Sequence, residues 1–204
     1  SGDCHQAFDK GVASAQTWLG NDNTGWLWAD LILQRDALPS AATLKIAYDA
    51  GLKNVNGAET MMTKADPSLT GLNPLLRPTE GGLQYYAPII NENLYTNLWH
   101  GPYYGFRELI ETFELTDSPK RLRGLHLYYH FYSSTKQASI KAMHEIYGYM
   151  REQQPMSLWM SDYLDRLHGL YQASLARTAD GAWQIRGMDA LRTVRLDAQM
   201  GWPD

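Results

Sequence analysis

Gly124-Leu125-His126-Leu127-Tyr128-Tyr129-His130-Phe131-Tyr132 is the stretch from which the fold of this 204-residue chain is read. It has high β-propensity, and successive side chains of an extended strand point to opposite faces. That period puts His126, Tyr128, His130 and Tyr132 on one face, with Leu127, Tyr129 and Phe131 on the other. A polar-aromatic face backed by an apolar one suits a strand that lines a barrel interior or cleft and packs its other side on helices. Downstream the period changes to that of a helix. The spacing predicts a long helix from about Ser134 to Gln154, carrying Ile140, Met143, Tyr147 and Met150 and ended by Pro155. Met156 to Trp159 reads as a short strand, and Ser161 caps a helix with Tyr163, Leu164, Leu167 and Leu170.

Upstream, Ser40 caps a helix over 40–50 with Leu44, Ala47 and Tyr48 on one face and Gly51 as its stop. Leu52 to Asn56 reads as a short buried strand. Thr60 to Gly82, with Pro67, Pro74, Pro78 and the Gly81-Gly82 pair, reads as a long loop, and Leu83 to Ala87 as a strand. Phe106, Leu109, Ile110 and Phe113 form one apolar helical stripe that ends before Pro119. Alternating strands and helices of this kind are the pattern of parallel βα units. From residue 173 the pattern changes: Ala173–Thr178, Trp183–Gly187 and Leu191–Asp197 alternate in period two around the Asp180-Gly181 turn. The fold class expected is α/β, followed by the start of an antiparallel β module.

Composition bounds function by exclusion. Apolar residues make up 44% and charged residues 20%, ordinary values for a folded chain and not those of a disordered one. The one cysteine, Cys4, cannot form an intramolecular disulfide or a zinc ribbon. Eighteen basic against twenty-two acidic residues leave −4, which argues against a nucleic-acid surface. No run of eighteen apolar residues exists to span a membrane. The chain opens Ser-Gly-Asp-Cys without a secretory leader, so either a leader has been removed or the chain belongs to something longer. Thirteen Tyr and seven Trp against four Phe suit wet clefts that stack polar ligands, and aromatics spread through core and rim account for the same counts.

Two histidines on one strand face invite a metal reading. A rise of ~3.3 Å per residue separates the Cα atoms of His126 and His130 by about 13 Å, too far to share one ion. His126 reads as a core residue. His130, at the C-terminal end of the stretch, is the candidate general acid or base. Tyr128 and Tyr132 flank it as candidate substrate-binding residues. Asn91, Glu92, Trp99, His100 and Tyr103 form a second cluster with the composition to bind a hydroxyl-rich ligand, which a plain turn also explains. No phosphate loop, nucleophile elbow or His-Glu-x-x-His motif occurs.

Several blocks carry a resemblance. Leu115 to Ser134, Asn91 to Phe106 and Gly51 to Thr60 resemble the deacetylase region of Pel exopolysaccharide biosynthesis proteins (the PelA-like family), and Ala190 to Asp204 resembles the opening of the β module that follows it, so that the resemblance covers roughly residues 39–204. The resemblance implies a partial deformed (β/α) barrel over 39–172, the start of a β-rich module over 173–204, and a lead-in or insertion of unclear role over 1–38. It implies a periplasmic, metal-dependent N-deacetylase acting on an N-acetylhexosamine polymer, with His130 at the position of the general acid. The family's Asp-Asp pair and metal-binding His-x-x-x-His pair are missing. The chain is therefore expected to be inactive alone, with the divalent metal's ligands outside it. The alternative is a non-catalytic carbohydrate-binding or scaffold module. Expected partners are the polysaccharide, exopolysaccharide-export components, and a second copy pairing through open strand edges.

Overall fold

The computed structural model describes residues 40–196, apart from 54, 56–59, 90 and 119–120, together with residue 199. The chain divides into two compact units, Ser1–Ser157 and Leu158–Asp204.

The first unit opens with helix α1, Ala41–Asp49. Ser40 Oγ accepts a hydrogen bond from the Thr43 backbone N–H at 3.2 Å, so the expected cap is in place. Leu44 and Ala47 are buried, but Tyr48 is 64% exposed. Of the strand expected over 52–56, Val55 makes an isolated parallel bridge to Tyr85, while 54 and 56 lie outside the described residues. The stretch read as a long loop over 60–82 contains an antiparallel hairpin instead. Strand β1, Leu76–Thr79, pairs with β2, Gly82–Tyr85, in the register Leu76 to Tyr85 and Thr79 to Gly82. Pro78 is tolerated because β1 is an edge, with β2 between it and Val55. A Cβ added to Gly81 at the turn would overlap the Ala41 carbonyl oxygen, so only glycine lets the hairpin close on the start of α1.

A short helix α2, Glu92–Tyr95, is followed by a 3-10 turn over Tyr103–Glu108 that runs directly into α3, Leu109–Leu115. Phe106, Leu109 and Phe113 are fully buried, which realises the stripe expected there. Helix α4, Gln137–Glu152, buries Ser139, Ala142, Met143 and Ile146. Tyr147, expected on that stripe, faces outward. The core is Ile89, Tyr95, Phe106, Leu109, Phe113, Ala142, Met143 and Ile146, with Leu125, Leu127 and Tyr129 packed against it.

The 124–132 stretch itself is extended but pairs with no strand among the described residues, and a 3-10 turn begins at Phe131. Its alternation survives without a ladder. Leu127 and Tyr129 pack on the helical core, as their face required, whereas Phe131 is 87% exposed because the 3-10 turn breaks the period. Buried Thr112 fastens α3 to the preceding chain: it accepts from the Met62 N–H at 3.2 Å, donates to the Met62 carbonyl at 2.6 Å and pairs with the Tyr95 hydroxyl at 2.8 Å.

In the second unit, helix α5, Met160–Gln172, buries Leu164 and Leu167 and leaves Leu170 exposed. Ser161 lies inside this helix and Trp159 takes the cap position, so the start precedes the one expected. The expected hairpin forms, with β3, Ser174–Arg177, antiparallel to β4, Trp183–Arg186. Residues 156–159 and 191–196 form no strand. Met188 and Leu191 pass close over α5, where a Cβ on Gly169 would overlap the Met188 carbonyl oxygen. Among the described residues the sheets are thus two hairpins, and the one parallel pairing is the Val55–Tyr85 bridge. A partial (β/α) barrel stays a proposal from the sequence.

Phenylalanine positions test this packing. Phe113→Ala should cost about 3–5 kcal/mol in urea unfolding, the usual result of emptying a filled core site. Phe131→Ala should change stability by about 0.5 kcal/mol or less, as expected for an exposed ring.

Candidate functional site

The site centres on a carboxylate taken out of water. Glu92, in the first turn of α2, is 1% exposed. Three donors meet it, all from residues 130–133. The His130 backbone N–H donates to Oε1 at 2.8 Å, and Ser133 Oγ donates to the same oxygen at 2.6 Å. His130 Nδ1 lies 3.1 Å from Oε1 and 3.2 Å from Oε2. An ionised carboxylate only accepts, so Nδ1 carries a proton, and in the neutral ring Nε2 is left as the lone-pair nitrogen. Burial pushes the Glu92 carboxyl upward, but the hydrogen bonds from the His130 ring, Ser133 and the His130 backbone outweigh it and hold the group below the ordinary 4.5.

Aromatic rings line up along the extended segment as its period requires. The centroid distances are 6.2 Å for His126–Tyr128, 5.8 Å for Tyr128–His130 and 5.0 Å for His130–Tyr132, the last pair stacked. Trp99 closes the arrangement from the opposite loop, edge-on to His130 at 5.3 Å and to Tyr132 at 5.9 Å. It is delivered by an unusual backbone: Asn97, Leu98 and Trp99 all lie in the left-handed region, with φ of 50°, 51° and 62°. Such conformations cost roughly 1–2 kcal/mol per non-glycine residue. Bonds from Leu98 N–H to the Asn93 carbonyl and from Gly101 N–H to the Thr96 carbonyl, 2.7 and 2.9 Å, hold the loop there. The His130 side chain retains 31% exposure, so the imidazole is open to solvent on one side.

The candidate residues therefore divide. His130, Glu92, Trp99, Tyr128 and Tyr132 form one connected cluster. Asn91 caps α2, its side chain accepting from Asn93 N–H at 2.9 Å. His100 is exposed, and its backbone N–H closes the left-handed turn onto Asn97. Tyr103 carries the Lys136 ammonium over its ring at 5.3 Å. Ser133 was not singled out from the sequence. Its signal is the three-residue spacing from His130, which the 3-10 turn converts into adjacency. His126 is enclosed: its Nδ1 has no hydrogen-bond partner, and burial lowers its pKa from 6.5 to about 4. Among the described residues no group of three or more His, Cys, Asp or Glu is placed to hold a metal ion. No helix among them is long and apolar enough to cross a membrane.

Comparison with known families gives one result. Residues 1–54 match the family described as LasR-specific antiactivator QslA. Searches of curated proteins and of solved structures return no match. The family finding overturns the PelA-like resemblance. Among the described residues, the block from Asn91 folds as a capped short helix with a left-handed turn, and the one around His130 as an extended segment without a partner strand. With the resemblance go the polysaccharide-deacetylase function, the carbohydrate-binding or scaffold alternative, the polysaccharide partner and the Pel and biofilm association. The matched family's name points to a protein partner and to regulation.

Glu92 and His126 give the pH dependence a sign. Below 6.5 an unfolded His126 takes up a proton that the folded chain refuses until about 4, so stability falls with pH across that window. The Glu92 contribution is fully present above 4.5 and is lost as pH falls through its lowered folded value. Urea midpoints measured across this range should decline from 6.5 downward. His126→Phe should flatten the upper part of that decline, and Glu92→Gln the part below 4.5.

Proposed function

We propose that the chain is a regulatory protein that acts by binding a protein activator. The match of residues 1–54 to a LasR-specific antiactivator family carries this reading. The described end of that segment is α1, which turns Leu44 and Ala47 inward and presents Tyr48, Lys45 and Asp49 outward. The Lys45–Asp49 ion pair is 2.8 Å long but exposed, so it adds little to the fold. Its charges and the Tyr48 ring are free to serve recognition, where tyrosine is a common anchor. An antiactivator of this kind works by mass action: a bound activator leaves the active pool in proportion to the complex formed.

Calorimetric titration of the full chain into LasR tests the proposal. A saturable complex with a Kd of about 1 μM or tighter is expected, weakened about tenfold or more by Tyr48→Ala. No heat and no co-elution at concentrations well above that value would overturn it.

A second copy is a further partner, favoured by one observation. Leu175, Trp183 and Ile185 on the β3–β4 hairpin are exposed, and neither strand has an outer neighbour among the described residues. Open edges of this sort add strands. Light scattering should show concentration-dependent association that Ile185→Lys reduces; a monomer at all concentrations would remove this partner.

A further inference from the structure

Glu92 is a buried anion, and among the described residues its ion-pair partner is His130. While that imidazole is neutral, all three donors on the carboxylate are neutral too. Buried charges are ordinarily met by an opposite charge, and here the open side of the ring is where one can arrive. The Nδ1 proton is committed to Glu92, so Nε2 offers a lone pair on the far edge of a ring whose side chain is 31% exposed. Around it stand Trp99, Tyr128 and Tyr132, all within 6 Å of the imidazole centroid to centroid. Tryptophan and tyrosine faces carry negative potential and attract cations that lie over them. A carboxylate behind, a lone pair in front and three electron-rich rings all favour a positively charged hydrogen-bond donor.

We propose that the His130 face binds an organic cation, an ammonium or guanidinium group, which donates an N–H to Nε2 and lies against the Trp99 and Tyr132 rings. The left-handed run Asn97-Leu98-Trp99 then has a purpose, since it brings the indole to the imidazole. The group can belong to a lysine or arginine of a protein partner or to a free amine. The groups facing His130 are Glu92 from α2, Ser133 from the following turn, Tyr128 and Tyr132 from its own segment and Trp99 from the loop. The inference stands on this geometry and not on the protein-binding proposal. A complex with LasR and cation binding at His130 can each fail alone.

The test uses the full chain and follows the His130 ring resonances by NMR during titration with methylguanidinium and butylammonium. Saturable shifts are expected near pH 8. His130→Phe, which keeps a ring but removes the acceptor, should abolish the response in tryptophan fluorescence. Trp99→Leu, which leaves the Glu92 hydrogen bonds intact, should weaken binding several-fold, with urea midpoints confirming that both variants fold. Tighter binding of an arginine- or lysine-containing peptide than of the free probes assigns the cation to a partner's side chain; equal binding assigns it to a free amine. Equal shifts with neutral N-methylurea, no saturable shift near pH 8, or unchanged binding in a folded Trp99→Leu variant would overturn the proposal.

Discussion

A carboxylate withdrawn from water must have its lone pairs met, and Glu92 meets that demand only if residues 130–133 come to α2. Much of the first unit follows from this requirement. The extended segment before His130 needs no neighbouring strand, because its end is fixed by the acid and its apolar side chains by the core. With Leu125, Leu127 and Tyr129 turned inward, the histidines and tyrosines of the other face line up beside α2. The same carboxylate fixes which imidazole nitrogen holds the proton, so packing and chemistry share one anchor.

Legibility in the sequence followed the range of the forces involved. Local ones could be read: the Ser40 cap, the stripe Phe106-Leu109-Phe113 and the turn at Asp180-Gly181 all form as their spacing implies. The β1–β2 hairpin was hidden by its own punctuation. Pro78 and the Gly81-Gly82 pair look like loop residues, yet one sits on an edge and the others form the turn. The reading of 124–132 erred in the opposite sense. Propensity and alternation describe its extended shape and its two faces as far as His130, where the 3-10 turn takes over, but pairing depends on a partner strand, which no local pattern supplies.

The site divides in the same way. That His126, Tyr128, His130 and Tyr132 share a side is a property of an extended chain and was visible at once. That Glu92 lies beneath His130 is a contact across thirty-eight residues and was not. Trp99 was chosen for its composition, whereas its place beside His130 comes from three left-handed residues in a row, a conformation without a sequence signature in Asn-Leu-Trp. The functional signal lies elsewhere than the resemblance in the middle of the chain: the family match covers residues 1–54, most of which fall in the lead-in whose role the sequence motifs leave unclear.

Thr112 carries a consequence for motion. Its hydroxyl both accepts from and donates to Met62, and it also holds the Tyr95 phenol, so three chain segments meet at one buried side chain. None of them can let go singly without leaving a polar group dry and unmatched. Fluctuations in this part of the molecule must therefore be collective: the chain around Met62, the end of α2 and the middle of α3 open together as one cooperative unit, and their amides share one exchange free energy. The exposed β3–β4 hairpin has no such knot among the described residues and is free to breathe on its own.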